Sequence, residues 1–326
     1  MLNIFTPGPQ GLTRSVSSPD SRIPEEAMWL DLLEPTQEEE KRVEAALGIE
    51  VPTREEMKEI ETSSRLYEEN GALYMTTTVA AQLDTDRPVS AAVTFILTGQ
   101  RLVTNRYLDT KPFQQFIAFA EKHPAACQSP LAILAGLTEA LIERVADVLE
   151  RIGADLDNIS SMIFARHGNS TPDSRDLRSM IERIGFNGEL NSKARESLVS
   201  LGRMLMFVQQ SGAASGMSAE QRDRFRSISG DVTALSDHAT FLGGKVSFLL
   251  EATLGLISVE QNDIIKIFSV AAVLFLPPTL IASIYGMNFD LLPDIPGRYG
   301  NFLFSIALMI GSIGTTYALF KRKGWL

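Results

Sequence analysis

The sequence predicts a mixed α/β domain, then long helices, then two transmembrane helices at the C-terminal end. Three observations predict this class. Segments Ile267–Ile284 and Phe302–Phe320 contain no Asp, Glu, Lys or Arg. At a rise of ~1.5 Å per residue each is roughly 27 to 29 Å long, close to the hydrocarbon thickness of a bilayer. Between Pro130 and the first of them, apolar residues recur at three- and four-residue steps, the period of amphipathic helices. Before Pro130, runs rich in Thr, Val, Tyr and Ile alternate with helical signals, as in an α/β or α+β domain.

Of the 326 residues, about 260 precede the first apolar segment, enough for one large or two modest domains. Met1–Gln10 holds Pro7, Gly8 and Pro9 and no apolar core of signal-peptide length, so this part is expected to stay in the cytoplasm. Cys127 is the single cysteine, which excludes an intrachain disulfide and fits a reducing compartment. A net charge of −10 argues against a nucleic-acid partner, whose phosphates need clustered Lys and Arg. It is compatible with attraction of cations.

Met1–Pro24, rich in Ser, Pro and Gly, reads as an irregular lead-in with one short strand at Leu2–Phe5. Met28–Leu33 is a strand, ended by Glu34-Pro35. Thr36 then caps a helix over Gln37–Leu47, with Glu38, Glu39 and Glu40 in the first turn where the helix dipole favours them. Pro52–Glu56 starts another short helix. Arg65–Tyr67, Ala72–Gln82, Ala91–Leu97 and Arg101–Asn105 read as strands, with a hairpin turn at Thr98-Gly99-Gln100. Phe113–Lys122 returns to helix.

Leu131, Leu134, Leu137, Leu141, Val145, Val148 and Ile152 form one stripe of a long helix over Leu131–Arg166, stopped by His167-Gly168-Asn169. Pro172–Gln210 is a second long helix, with Gly185 and Gly188 as weak points. After a Gly/Ser/Ala loop at Ser211–Ser218, a third starts near Ala219 and enters the first apolar segment without a stop signal. Its part from Asp231 to Tyr285 would be about 80 Å long, with Gly243-Gly244 the expected bend. Such a helix would carry movement of a stalk into the membrane.

Only 17 residues separate the apolar segments, so they form a hairpin with both ends on one side of the membrane. Lys321, Arg322 and Lys323 follow the second segment and Lys266 opens the first, whereas the linker offers Arg298 against Asp290 and Asp294. The positive-inside rule puts both termini in the cytoplasm. A single hairpin cannot enclose water, so ion conduction would need several copies around an axis. Ile265, Phe268, Ala272, Leu276, Thr279 and Ser283 share one face of the first segment, and Glu251 lies two heptads below Ile265 on the same stripe. Pro277-Pro278 removes two backbone donors in mid-span, so the freed carbonyls must face a pore, water or a neighbouring helix.

The run Gln261–Val270, Phe275-Leu276-Pro277-Pro278-Thr279-Leu280-Ile281-Ala282-Ser283, Tyr285-Gly286-Met287-Asn288-Phe289 and the closing Phe320–Leu326 resemble the signature of the CorA family of divalent-cation channels. Trp29–Thr36 is similar to the start of that family's cytoplasmic domain. The resemblance implies a funnel-shaped homopentamer in a bacterial-type inner membrane. Residues 1–130 would be the cytoplasmic α/β domain and 131–265 the long helices including the stalk. The first, pore-lining span would cover 266–287, the periplasmic loop 288–300, the second span 301–320 and the basic cytoplasmic tail 321–326. The ion would be Mg²⁺, with Co²⁺ and Ni²⁺ also passing, selected as a hydrated ion by Gly286, Met287 and Asn288.

A ring of neutral Asn288 carbonyls would accept hydrogen bonds from the hydration shell without trapping the ion, as a carboxylate ring would. By the same resemblance Thr279 lines the pore, while Leu276, Phe268 and Ile265 form an apolar gate. Asp290 and Asp294 would make an acidic vestibule. Lys321, Arg322 and Lys323 would form a basic collar at the inner face. Feedback by cytoplasmic Mg²⁺ is implied too, with Asp84 or Asp86 facing Asp223 or Asp231 of a neighbouring subunit as the positional candidates.

Enzyme signatures are missing. Gly243-Gly244-Lys245-Val246 lacks the earlier glycine of a phosphate-binding loop, position 239 being Ala239, and has no Ser or Thr after the lysine. His123, His167, His238 and Cys127 are scattered, without zinc-site spacing. The expected reading is therefore gradient-driven uptake with no ATP and no organic cofactor. Two alternatives stay open: a zinc transporter of the same superfamily, and a cytoplasmic sensor or scaffold anchored by two helices.

Overall fold

A computed structural model of the chain describes residues 1–17, 22–164, 174–286 and 300–323. Its lead-in departs from the sequence expectation. Strand β1 (Leu2–Gly8) and strand β2 (Gly11–Val16) form an antiparallel hairpin in which Gly8 faces Gly11. The same Pro and Gly residues that read as breakers supply the turn. Gly11 has a φ of 146°, and a Cβ there would collide with the Ala120 carbonyl. A side chain is therefore excluded on both backbone and steric grounds.

Strand β3 (Trp29–Leu33) leads into helix α1 (Gln37–Leu47). The Thr36 side chain accepts from the Glu39 N–H, while the Glu39 carboxylate accepts from the Thr36 N–H at 2.9 Å, a reciprocal capping box. The short helix expected at Pro52–Glu56 is instead one 3₁₀ turn at Glu56–Lys58. Thr53 and Glu56 make the same reciprocal bonds there, at 2.8 and 3.4 Å. Glu59 leaves the helical region with ψ 140°, so the capping bonds close one turn and no helix follows.

Helix α2 (Thr62–Arg65) precedes strands β4 (Leu66–Glu69), β5 (Ala72–Ala81), β6 (Val89–Thr98) and β7 (Arg101–Arg106). Asn70 and Gly71 join β4 to β5 with φ of 50° and 77°, the left-handed pair that a two-residue hairpin needs. The sheet order is β2-β1-β3-β7-β6-β5-β4. β3 pairs with β7 in parallel and the other described pairs are antiparallel.

Alternation gives the sheet two buried faces. One packs Leu2, Ile4, Leu30, Leu32, Ile96 and Val103 against Val43 of α1. The other carries Phe5, stacked on Trp29 at 4.2 Å, and meets helix α3 (Lys111–Ala120) through Trp29 on Phe116 at 5.8 Å and Phe95 on Phe113 at 6.3 Å between ring centres.

Within that second face lies a buried ion pair. Asp31 is fully buried and Arg106 is 2 % exposed. Arg106 donates through Nε to Asp31 Oδ1 and through Nη2 to Oδ2, both at 2.9 Å. Its Nη1 reaches Asp109 at 2.7 Å, and its guanidinium lies 4.4 Å from the centre of the Phe113 ring. Thr104 donates to Asp31 at 2.8 Å and in turn accepts from the Trp29 indole at 3.0 Å, while Asn3 donates to the other carboxylate oxygen at 3.1 Å. Burial works against the Arg106 charge, but its bonds to Asp31 and Asp109 outweigh this and raise its pKa.

Helix α4 (Pro130–Phe164) buries the expected stripe from Leu134 to Ile152. It packs beside helix α5 (Ser174–Gln210) and the early part of helix α6 (Ala219–Gly286). Cross-links include Arg224 on Glu139 at 2.8 and 2.6 Å, Lys245 on Asp157 at 2.6 Å, Arg183 on Asp155, and the Asn191 amide on the Ala239 carbonyl at 2.9 Å. The glycines expected to weaken or bend these helices lie inside unbroken helix. A Cβ at Gly188 would sit 3.3 Å from Val246, one at Gly202 3.3 Å from Val232, and one at Gly243 3.3 Å from Asn191. Gly188, Gly202 and Gly243 are contact points that let α5 and α6 approach closely, and packing there offsets the usual helical penalty of glycine, whereas Gly185 and Gly244 face open space.

The chain divides into two compact units, Met1–Ser170 with Ser179–Leu250, and Thr171–Arg178 with Glu251–Leu326. The sheet, α1 to α4, α5 from Ser179 and α6 up to Leu250 belong to the first. The His167-Gly168-Asn169 stop expected after α4 lies outside the described residues.

Replacing Asp31 by Ala strands the Arg106 charge in the core. We expect a loss of about 3–5 kcal/mol in stability, measured by denaturant unfolding of the purified protein. A loss below about 1 kcal/mol would mean that the pair contributes little.

Candidate functional site

The second unit contains the late part of α6 and helix α7 (Gly300–Arg322). Both helices are long and apolar enough to cross a membrane, and no residue in the apolar window of α6 is fully buried. Each helix pairs several of its hydroxyls with its own backbone. Ser269 donates to the Ile265 carbonyl at 2.8 Å, Thr279 to Phe275 at 2.7 Å, Thr315 to Gly311 at 2.8 Å and Thr316 to Ser312 at 2.9 Å. An apolar surrounding then meets no unpaired hydroxyl donor at these positions.

Pro277 and Pro278 sit inside α6. Neither has an N–H, so the carbonyls four residues earlier, of Val273 and Leu274, lose their usual helical donors. The flanking ladder persists and the helix continues to Gly286.

Exposure divides α6 into two faces. Val270, Leu274, Pro277, Ile281 and Tyr285 are half-buried and lie on one side at helical spacing. At its end Tyr285 meets Phe304 of α7 edge to face, with ring centres 6.4 Å apart. Ile265, Phe268, Ala272, Leu276, Thr279 and Ser283 are all exposed. Ile265, Phe268 and Leu276 are 61, 71 and 66 % open. At about 100° per residue these six lie on the opposite side of the helix from the half-buried set. Glu251 is exposed as well.

Gly286 is the last residue of α6, with open space where a Cβ would be. Met287, Asn288, Asp290 and Asp294 lie outside the described residues. Lys321 and Arg322 form the basic last turn of α7, with Lys323 directly after and all three exposed.

The four aspartates expected to sense metal are found in the first unit. Asp86, Asp223 and Asp231 are exposed, and Asp223 accepts from Arg226 one turn on at 2.8 Å. Asp84 is engaged differently. In the loop after β5 its carboxylate accepts from Lys111, from Arg144 at 2.5 Å and from Arg151 at 3.0 Å, while Arg151 also donates to the Leu83 carbonyl at 2.6 Å. The hydrogen bond from Lys111, then those from Arg144 and Arg151, hold the Asp84 carboxyl far below the usual carboxylate range. A cation approaching Asp84 meets three positive charges first. Sequence reading missed this cluster because its members are 27, 60 and 67 residues from Asp84 and no local pattern links them. Among the described residues, no group of three or more His, Cys, Asp or Glu side chains is placed to hold a metal ion.

A mixed α/β domain with long helices, joined to two apolar helices fit to span a bilayer, defines a two-span membrane protein with a large soluble head. A family model described as CorA-like Mg2+ transporter protein matches residues 24–322. The chain is 35 % identical over 328 residues to the magnesium transport protein CorA of Salmonella typhimurium, covering all of both sequences. It belongs to the CorA-like Mg²⁺ transporter family.

The solved structures agree at the level of fold. The CorA magnesium transporter from Methanocaldococcus jannaschii superposes with a TM-score of 0.76 at 18 % identity, covering 100 % of this chain and 99 % of that one. The ZntB cytoplasmic domain from Vibrio parahaemolyticus gives 0.57 at 10 % identity, covering 78 % of this chain and 96 % of that one.

The Asp84 cluster yields a pH prediction. A depressed carboxylate pKa stabilises the fold above its unfolded value of about 4, and the contribution fades as pH falls below that. Asp84 is more than a third solvent-exposed, so we discount its worth to about 1 kcal/mol. Asp84→Asn is expected to lower the thermal midpoint slightly at pH 7, the gap from wild type closing as pH drops from about 4 towards 2. A gap independent of pH would refute the charge argument.

Proposed function

We propose that the protein is a channel for divalent cations, chiefly Mg²⁺, built from several copies of this chain around an axis lined by α6. The observation that carries the reading is the uncovered stripe Ile265, Phe268, Ala272, Leu276, Thr279 and Ser283, opposite the face whose end meets α7. If that stripe lines a shared pore, every copy contributes the same ring of side chains. The rings are apolar at Ile265, Phe268 and Leu276 and hydroxyl-bearing at Thr279 and Ser283. Apolar rings of this kind close a pore by dewetting. Family membership supports five copies as the assembly and an inner membrane as the location. The basic end of α7 supports a cytoplasmic C-terminus.

In this reading residues 266–287 and 301–320 are the spans, 288–300 the outer loop and 321–326 the inner tail. Gly286, Met287 and Asn288 form the outer mouth, where an amide oxygen from each copy contacts a cation that keeps its hydration shell. Asp290 and Asp294 gather cations around that mouth, and Lys321, Arg322 and Lys323 fix the inner end at anionic lipid. A divalent ion gains about 4.6 kcal/mol per 100 mV on entry, so the gradient suffices without ATP. Co²⁺ and Ni²⁺, also hydrated divalent ions, share the path. Feedback by internal Mg²⁺ falls to the exposed Asp86, Asp223 and Asp231 at boundaries between copies, Asp84 being held by its three cations.

Asn288→Ala is expected to abolish Mg²⁺ uptake in a cell deficient in it, with the oligomer intact by cross-linking. A protein that merely anchors a sensor would be indifferent. The zinc reading is tested in the same cells by zinc flux: zinc uptake exceeding Mg²⁺ uptake would reverse the ion assignment. Leu276→Ser should wet the apolar ring and raise resting uptake several-fold, and unchanged uptake would take Leu276 out of the gate.

A further inference from the structure

A pocket of the first unit lies far in sequence from the spans and has no part in the transport reading. It occupies about 310 Å³ between β5, the end of α2 and one face of α5, near the lower end of the size range of small-ligand sites. Three guanidinium groups, of Arg65, Arg195 and Arg203, line it against one carboxylate, Glu196. That leaves two positive charges in excess, and Glu196 is already bonded by the Ser90 hydroxyl at 2.6 Å.

The pocket is partly built before any ligand arrives. Arg65 is half-buried and fixed, its Nε donating to the Thr76 carbonyl at 3.2 Å and its Nη2 to the Thr78 hydroxyl at 2.8 Å. Ser200 Oγ accepts from the Thr78 N–H at 2.8 Å, which leaves its own hydroxyl proton available to donate. Ser192 adds another hydroxyl to the lining. Arg195 and Arg203 are exposed and have no ion-pair partner among the described residues. Burial, opposed by Glu196 and reinforced by the like charge of Arg203, lowers the pKa of Arg65.

Arginine forks with added hydroxyl donors match a tetrahedral oxyanion that accepts several hydrogen bonds at once. Val199 is the sole aliphatic hydrocarbon side chain in the lining and there is no aromatic ring, so neither a nucleobase nor an acyl chain finds a platform. We propose that this pocket binds a compact phosphate-bearing anion of about the size of pyrophosphate. The phosphate belongs either to a free soluble ligand or to the headgroup of an anionic lipid, and the two sources are separable.

The test uses the full-length protein in a neutral detergent without divalent cations. Calorimetric titration with sodium pyrophosphate is compared with sodium sulfate at equal ionic strength and with dihexanoyl phosphatidylglycerol below its micellar concentration. The comparison protein is the double variant Arg195→Gln/Arg203→Gln, whose two side chains are exposed and whose thermal midpoint without ligand should match wild type. We expect saturable binding of pyrophosphate, or of the lipid if the headgroup is the source, weakened at least tenfold in the variant. Equal binding by sulfate, equal binding by the variant, or no binding of either phosphate probe overturns the proposal.

Discussion

An apolar helix face that its own chain leaves bare must be covered by something else. That constraint governs the second unit. The backbone of α6 is satisfied internally except at the carbonyls facing Pro277 and Pro278, so hydrogen bonding does not decide its surroundings. What remains is the chemistry of its two faces. The half-buried face ends in the contact of Tyr285 with Phe304, and the opposite face, from Ile265 to Ser283, is exposed at each of its six positions. In the proposed channel a ring of identical helices would give each level of that line, apolar at Ile265, Phe268 and Leu276 and hydroxyl-bearing at Thr279 and Ser283, a distinct role.

The first unit obeys a different rule. Its sheet is covered on both faces, so a charge that remains inside needs close partners. Asp31 is placed by β3 and Arg106 by the neighbouring parallel strand β7, and the register sets Asp31 opposite Thr104. The carboxylate thereby gains a threonine hydroxyl, an asparagine amide and both faces of the guanidinium fork. Such an arrangement tolerates little slippage, because a shift of one residue would turn Asp31 or Arg106 to the other face and leave its charge unpaired. The pair thus favours a single register of the β3–β7 ladder.

Local signals were legible where the energetics are local. Thr36 and Glu39 sit three residues apart and cap a helix that runs over Gln37–Leu47 as the sequence predicts. Thr98, Gly99 and Gln100 make the hairpin turn, with Gly99 at φ 53°. The long amphipathic helices are found within two residues of the expected limits at all described ends. Misreadings arose where one residue type serves two purposes. Glycines at 188 and 243 were expected to weaken a helix and instead admit a neighbour, because their cost is local and their benefit lies on another helix. Pro7, Gly8 and Pro9 read as a break but belong to a strand and its turn, since pairing of Pro7 and Gly8 with Leu12 and Gly11 of β2 stabilises what propensity alone does not.

The sequence by itself determined the two apolar spans, the motif around Pro277 and Gly286 to Asn288, and the face of the first span that carries Ile265 to Ser283. Length, charge and helical period are properties of contiguous residues, and these suffice for such conclusions. Tertiary structure alone decided the Asp31–Arg106 pair, the three cations around Asp84 and the arginine pocket beside β5. Their members lie 75 residues apart in the first case and up to 67 in the second. Charges so distant in the chain acquire a meaning only when the fold brings them within a hydrogen bond of each other.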